Sequence, residues 1–207
     1  MARVRVHQHV NPLAKYYREL PIEPLNIAET FADPSLPLHL DIGCGRGRFL
    51  LEMAESKTDW NFLGAEIREP LVIEANEIRD KRNLTNLHYE FCNATIDLDL
   101  LLENLPKNIL QFVSIQFPDP WFKKRHAKRR MVRSTLVEAI AEHLGETGEL
   151  FIQTDVEFLS GEMSEMFFAR GFRKIENTKN PLAVKTEREK SVEARDLPVY
   201  TSIFKKK

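Results

Sequence analysis

From residue 38 onward, short apolar runs alternate with amphipathic stretches, the pattern of buried strands joined through helical crossovers. The runs are Leu38–Ile42, Phe62–Ile67, Leu87–Cys92, Phe112–Phe117, Glu149–Thr154, Phe172–Glu176 and Tyr200–Phe204. Helices are predicted over Phe49–Ser56, Pro70–Arg82, Met131–Leu144 and Val156–Arg170; in the third, Val132, Leu136, Ile140 and Leu144 fall four apart on one face. Such alternation predicts an α/β domain over residues 38–207, a Rossmann-like, doubly wound and mostly parallel sheet with helices on both faces. Residues 1–37 carry prolines and aromatics without a sustained period and read as an N-terminal extension draped on that domain. The terminal Lys205-Lys206-Lys207 reads as a solvated end.

The first strand runs into Asp41-Ile42-Gly43-Cys44-Gly45-Arg46-Gly47-Arg48, a glycine turn before a helix. Glycines at 43, 45 and 47 permit positive φ and let backbone amides approach a ligand, which in doubly wound sheets sits outside the carboxyl end of the first strand. A dinucleotide fingerprint needs its third glycine at position 48, where this chain has Arg, so that reading fails. An acid followed by Gly-x-Gly-x-Gly resembles instead the first motif of S-adenosylmethionine-dependent methyltransferases, and a carboxylate suits the ammonium end of a methionine better than a pyrophosphate. About twenty residues on, Glu66 ends the second strand, where an acid can take both ribose hydroxyls. Asn93, after the third, offers an amide donor and acceptor to an adenine edge. Three polar side chains at three successive strand ends make a nucleoside cradle.

Charge changes this picture more than composition does. The 207 residues carry a formal charge of −1, which excludes a uniformly basic protein. That near-neutrality is segregated: Lys123, Lys124, Arg125, Lys128, Arg129, Arg130 and Arg133 are seven basic residues in a stretch without an acid, and setting them aside leaves 23 basic against 31 acidic residues, or −8. Arg3, Arg5, Lys15 and Arg18 precede the first acid, Glu19, and read as a solvated tail. No apolar run approaches the ~18 residues of a membrane span, and the first residues lack the apolar stretch of a secretory signal. Cys44 and Cys92, the only cysteines, do not suggest a disulfide or a metal site. A cytoplasmic protein is expected.

The fourth strand leads into Phe117-Pro118-Asp119-Pro120-Trp121-Phe122-Lys123, where two prolines stiffen the backbone around one carboxylate. Followed by Arg125-His126-Ala127-Lys128-Arg129-Arg130, this string closely resembles the tRNA (guanine-N7-)-methyltransferase family, and the resemblance covers most of the chain from Leu38 on. It implies a class I methyltransferase fold, S-adenosyl-L-methionine as cofactor, and a guanine at tRNA position 46, in the variable loop, as target. By the same resemblance, Asp41, Glu66, Asn93 and Asp119, with Gly43 and Gly45 of the turn, correspond to cofactor contacts, and Asp119 also to the active-site residue. Lys123 and Asp155 correspond to substrate contacts, Arg125, Lys128, Arg129 and Arg130 to an RNA-binding segment, and Thr186 and Glu189 to a Thr-x-x-Glu substrate motif. The chain departs from the family at Asp41, where Glu is common, and at Phe122, where His often follows the Trp.

Guanine N7 bears no proton, so its methylation requires positioning more than a general base. Asp119 is read as accepting hydrogen bonds from the guanine N1–H and amine, or as holding the cofactor's ammonium; Trp121 or Phe122 offers a face for the base. Asp155 is a candidate helix N-cap as well as a substrate contact. A methyltransferase acting on another RNA base or a small molecule is the alternative enzyme, although a small molecule gives no use for seven clustered cations. A non-catalytic RNA-binding subunit would be expected to lose the cradle acids, which are all present. Nothing in the sequence requires a protein partner.

Overall fold

The first apolar run forms β1 (Leu38–Ile42), buried at every position. On one side it pairs in parallel with β2 (Asn61–Glu66), which pairs with β3 (Leu87–Phe91). On the other it pairs with β4 (Leu110–Gln116), followed by β5 (Glu149–Thr154). The order therefore reverses beside β1, opening a crevice at the carboxyl ends of β1 and β4. The computed structural model describes residues 9–175 and 180–207, and its seven strands lie in the order β3-β2-β1-β4-β5-β7-β6. β6 (Phe172–Ile175) is at the edge, and β7 (Tyr200–Lys206) lies antiparallel between it and β5.

Helices cover both faces. α1 (Lys15–Arg18) and α2 (Ile27–Thr30) precede the sheet; α3 (Arg48–Ser56) and α4 (Glu69–Lys81) pack through Phe49, Leu50, Met53, Val72 and Ala75 against Phe62, Leu87 and Tyr89. The opposite core joins α5 (Ala94–Leu102), α6 (Ser134–His143) and α7 (Glu157–Ala169) to Leu40, Ile42, Val113, Ile115 and Ile152. α8 (Glu187–Glu193) lies before the last strand.

Several expectations are corrected. α5 and α8 were not predicted: α5 follows its strand after two residues and is apolar on most sides, so it lacks the periodic contrast that marks a helix. α6 starts at Ser134 rather than Met131, although Val132, Leu136, Ile140 and Leu144 are buried as a common face. The extension contributes to the core: Leu25, Ile27 and Phe31 are buried in the α5/α6 cluster, and the Leu25 amide donates to the Leu101 carbonyl at 2.9 Å. Of the terminal lysines only Lys207 is a solvated end. Lys205 and Lys206 belong to β7, where Lys205 pairs with Glu149 at 2.9 Å and Lys206 donates to the Leu144 carbonyl. Arg3, Arg5 and the predicted strand end Glu176 lie outside the described residues.

Candidate cofactor and RNA site

At the switch point lies a cavity of about 580 Å³, within the size range of small-molecule sites. Its wall joins the turn after β1, the ends of β2 and β3, the Phe117–Trp121 turn after β4, and Asp155 after β5. Asp41, Gly43, Gly45, Glu66, Asn93, Asp119, Arg129, Asp155 and Thr186 all line it, so most of the residues singled out from the sequence converge.

Asp41 is buried at the cavity floor, where Ser114 Oγ (2.6 Å) and Gln116 Nε2 (3.1 Å) both donate to Oδ1. Burial pushes its carboxyl up to about 6, against the opposing pull of these two hydrogen bonds. His39 Nε2 lies 2.8 Å from Ser114 Oγ, and burial drives His39 down to about 3. Because the serine hydroxyl donates to Asp41, the neutral imidazole must carry its proton on Nε2 and donate in turn. Polar side chains at alternate positions of apolar strands (His39 and Asp41 on β1, Ser114 and Gln116 on β4) are the sequence signal for this relay.

Glu66 is also buried and already engaged. It accepts from the Gly45 amide (2.9 Å), the Arg68 amide (3.0 Å), and Arg68 Nε and Nη2 (both 2.8 Å). Any ribose hydroxyl seeking this carboxylate meets Arg68 as a competitor. Asn93, read from the sequence as an adenine contact, spends its amide donor on the carbonyls of Pro12 (2.8 Å) and Tyr17 (3.0 Å), tying the N-terminal segment to the cavity. The solvated tail expected there is thus fastened from residue 12 on.

The glycine turn needs its glycines for different reasons. Gly47 has φ +70°, and a Cβ there would lie 2.4 Å from buried Tyr89, whose hydroxyl donates to the Gly47 carbonyl at 2.6 Å. Gly45 has φ +61° and a nearest neighbour at 3.8 Å. Gly47→Ala is therefore expected to lose about 2 kcal/mol or more of unfolding free energy in a urea titration, and Gly45→Ala about 1 kcal/mol, the strain of the left-handed backbone alone.

At the mouth, Asp119 is 41% exposed and pairs with His9 Nδ1 at 2.9 Å. Its turn is bracketed by two non-glycine residues in the left-handed region, Phe117 (φ 51°) and Trp121 (φ 44°). The Trp121 ring is enclosed by His9 (6.1 Å), His126 (5.7 Å) and the Arg129 guanidinium (5.0 Å). A 3-10 helix over Lys124–Arg129 organises the basic segment. Lys123, Lys124, Arg125 and Lys128 are exposed beyond the cavity wall. Arg130 is different: it pairs with Glu162 and donates to the Pro120 carbonyl at 2.9 Å, so it braces the loop from within.

Asp155 forms an ion pair with Arg188 and does not cap α7, whose N-cap is Val156. Thr186 caps α8 by accepting from the Glu189 amide at 3.1 Å. Glu189 itself is buried off the cavity wall, accepting from Gln153 (3.2 Å) and Asn180 (2.9 and 3.0 Å). Thr-x-x-Glu therefore acts locally as a helix start whose acid faces the core.

The donor set fits a cationic nucleoside ligand. Asp41 is a buried anion whose only hydrogen bonds among the described residues come from neutral groups, an arrangement that favours a cation arriving in the cavity. Among the described residues no cluster of His, Cys, Asp or Glu could hold a metal ion, and no helix is long and apolar enough to cross a membrane.

A family model described as a putative methyltransferase matches residues 35–202. The tRNA (guanine-N(7)-)-methyltransferase of Nostoc sp. is 53% identical over 208 residues, covering 98% of this chain and 94% of its own. That of Synechococcus elongatus is 53% identical, covering 99% and 97%, and that of Synechocystis sp. 48% identical, covering 100% and 99%. Among solved structures, the aminoglycoside resistance methyltransferase NpmB1 aligns with a TM-score of 0.57 at 16% identity, over 86% of this chain and 89% of its own. A SAM-dependent methyltransferase from Aquifex aeolicus aligns with a TM-score of 0.53 at 15% identity, over 81% and 80%. These structural likenesses establish the class I methyltransferase fold.

Proposed function

The chain belongs to the tRNA (guanine-N(7)-)-methyltransferase family, and on that premise we propose that it transfers a methyl group from S-adenosyl-L-methionine to guanine N7 in tRNA, at position 46 of the variable loop. The observation that carries this reading is one cavity that joins a buried anionic floor, Asp41 and Glu66, to a mouth formed by Asp119 and Arg129 beside the exposed cations.

Asp41 would hold the cofactor's ammonium, with its carboxylate oriented by Ser114 and Gln116. Glu66 would take the ribose once Arg68 yields one of its contacts, and the Asn93 carbonyl oxygen remains the side-chain atom suited to the adenine edge. When bound, S-adenosyl-L-methionine supplies an electrophilic methyl on a sulfonium sulfur, which the N7 lone pair accepts without any proton having to leave. The protein's task is then orientation. Asp119, at the mouth rather than the floor, is suited to the guanine: a carboxylate accepting from N1–H and the amine interacts more strongly as the base becomes cationic. Lys123, Arg125 and Lys128 supply phosphate contacts that carry no sequence information, and Arg130 positions the loop that presents them. Asp155 and Thr186 reach the substrate from the cavity wall, whereas Glu189 serves substrate binding by fixing α8. The two unpaired thiols accord with a cytoplasmic location.

Incubation with unmodified tRNA and methyl-labelled S-adenosyl-L-methionine tests this directly. Label is expected at N7 of a single guanine in the variable loop; label on another atom or only on small molecules would sink the reading.

A further inference from the structure

The turn that carries Asp119 spends one aromatic ring and leaves the next one bare. Trp121 is packed among His9, His126 and Arg129. Phe122, immediately after it, is 70% exposed on the cavity wall. Among the described residues its one ring contact is with Phe158, on α7, edge to face at 6.0 Å, and Phe158 is itself 45% exposed. The Arg130 guanidinium lies over Phe158 at 5.1 Å and is anchored by Glu162 and the Pro120 carbonyl. Phe158 is thus packed under a braced arginine, and Phe122 meets that ring edge to face. Exposing two phenylalanines side by side beside the cavity mouth has no packing rationale.

We propose that Phe122 and Phe158 form a stacking platform at the cavity mouth for the base of a nucleotide flanking the methylated guanosine, a role that rests on the tRNA reading above. An RNA base is the occupant the surroundings select. From Trp121 to Arg133 the chain has no acid, and Lys123, Lys124, Arg125 and Lys128 are exposed on the segment that follows Phe122; beside Phe158, Glu162 is neutralised by Arg130 and Glu157 is the one adjacent acid. An apolar protein partner gains nothing from those cations, whereas a nucleotide uses both its π-face and its phosphate. The target base must leave its neighbours to enter the cavity, and a neighbour restacked on Phe122 offsets part of that cost. Phe122 and Phe158 are positioning residues: neither has to touch the reacting atoms.

The test is a titration of unmodified tRNA at several salt concentrations with wild type, Phe122→Leu, Phe158→Leu and Phe122→Trp, alongside cofactor binding. The leucine variants are expected to weaken tRNA binding about tenfold with cofactor affinity and salt slope unchanged, and the tryptophan variant to restore it. A tRNA made abasic at the nucleotide on one side of the target is expected to bind wild type and Phe122→Leu equally. Wild-type tRNA affinity in the leucine variants overturns the platform. So does a loss that tryptophan fails to restore, a pair of abasic tRNAs, one for each side of the target, that both still separate wild type from leucine, or self-association of wild type that the leucine variants abolish. If wild type methylates no guanine N7, the functional reading fails, while the platform is still decided by the binding titration.

Discussion

Asp119→Ala is expected to lower kcat for tRNA methylation by at least about a hundredfold, the scale seen when a single group that stabilises developing charge is removed. Melting temperature and S-adenosyl-L-methionine affinity are expected to stay near wild type. The reason is position: Asp119 sits 41% exposed at the mouth, paired with His9 and within the field of Arg68, and it is not part of the hydrophobic core. Single-turnover methyl transfer with a parallel cofactor titration separates the two roles open to this carboxylate. A loss confined to the chemical step assigns it to the guanine, whereas a matching loss of cofactor affinity assigns it to the ammonium. Near-wild-type turnover removes Asp119 from the mechanism altogether.

Asp41→Asn is expected to raise stability at neutral pH while impairing cofactor binding. With its carboxyl raised from the ordinary 3.8 to about 6, Asp41 keeps a proton in the folded chain that the unfolded chain has already released between those pH values. Stability contributed by this group is therefore present in acid, is lost as pH rises through about 6, and leaves a buried, uncompensated anion at pH 7.5 that costs up to about 3 kcal/mol. Asparagine retains an acceptor for Ser114 and Gln116 without the charge, so the variant is expected to melt several degrees higher at pH 7.5. The acid-side rise in wild-type stability that this residue supplies disappears with it. Cofactor affinity is expected to fall at least tenfold, and the weakening of wild-type affinity below about pH 6 to vanish in the variant. A variant that binds the cofactor as wild type does would show that the ammonium is held elsewhere.

What the sequence disclosed tracks how local each feature is. The strands from Leu38 to Thr154 were legible because parallel strands buried on both faces are short apolar runs, and the glycine turn because its acid and three glycines are contiguous. The convergence of Asp41, Glu66, Asn93 and Asp119 followed from strand ends alone. What could not be read were contacts across the chain. Asn93 gives its donors to residues 12 and 17, Glu189 turns inward to Gln153, and Arg130 braces the turn through Glu162. Each of these looks from sequence like a free polar group available to a ligand. Seven clustered cations look alike for the same reason, although Arg129, Arg130 and Arg133 are half-buried and Lys123, Lys124, Arg125 and Lys128 are exposed.

The strand order also has a consequence for how the chain is made. β7 sits between β5 and β6, and among the described residues β6 hydrogen-bonds to no other strand. During vectorial synthesis the five parallel strands can assemble as they emerge, but β6 must wait without a partner, and β5 keeps an open edge, until a strand made later inserts between them. The sheet is closed from the inside, by the strand that arrives after all the others.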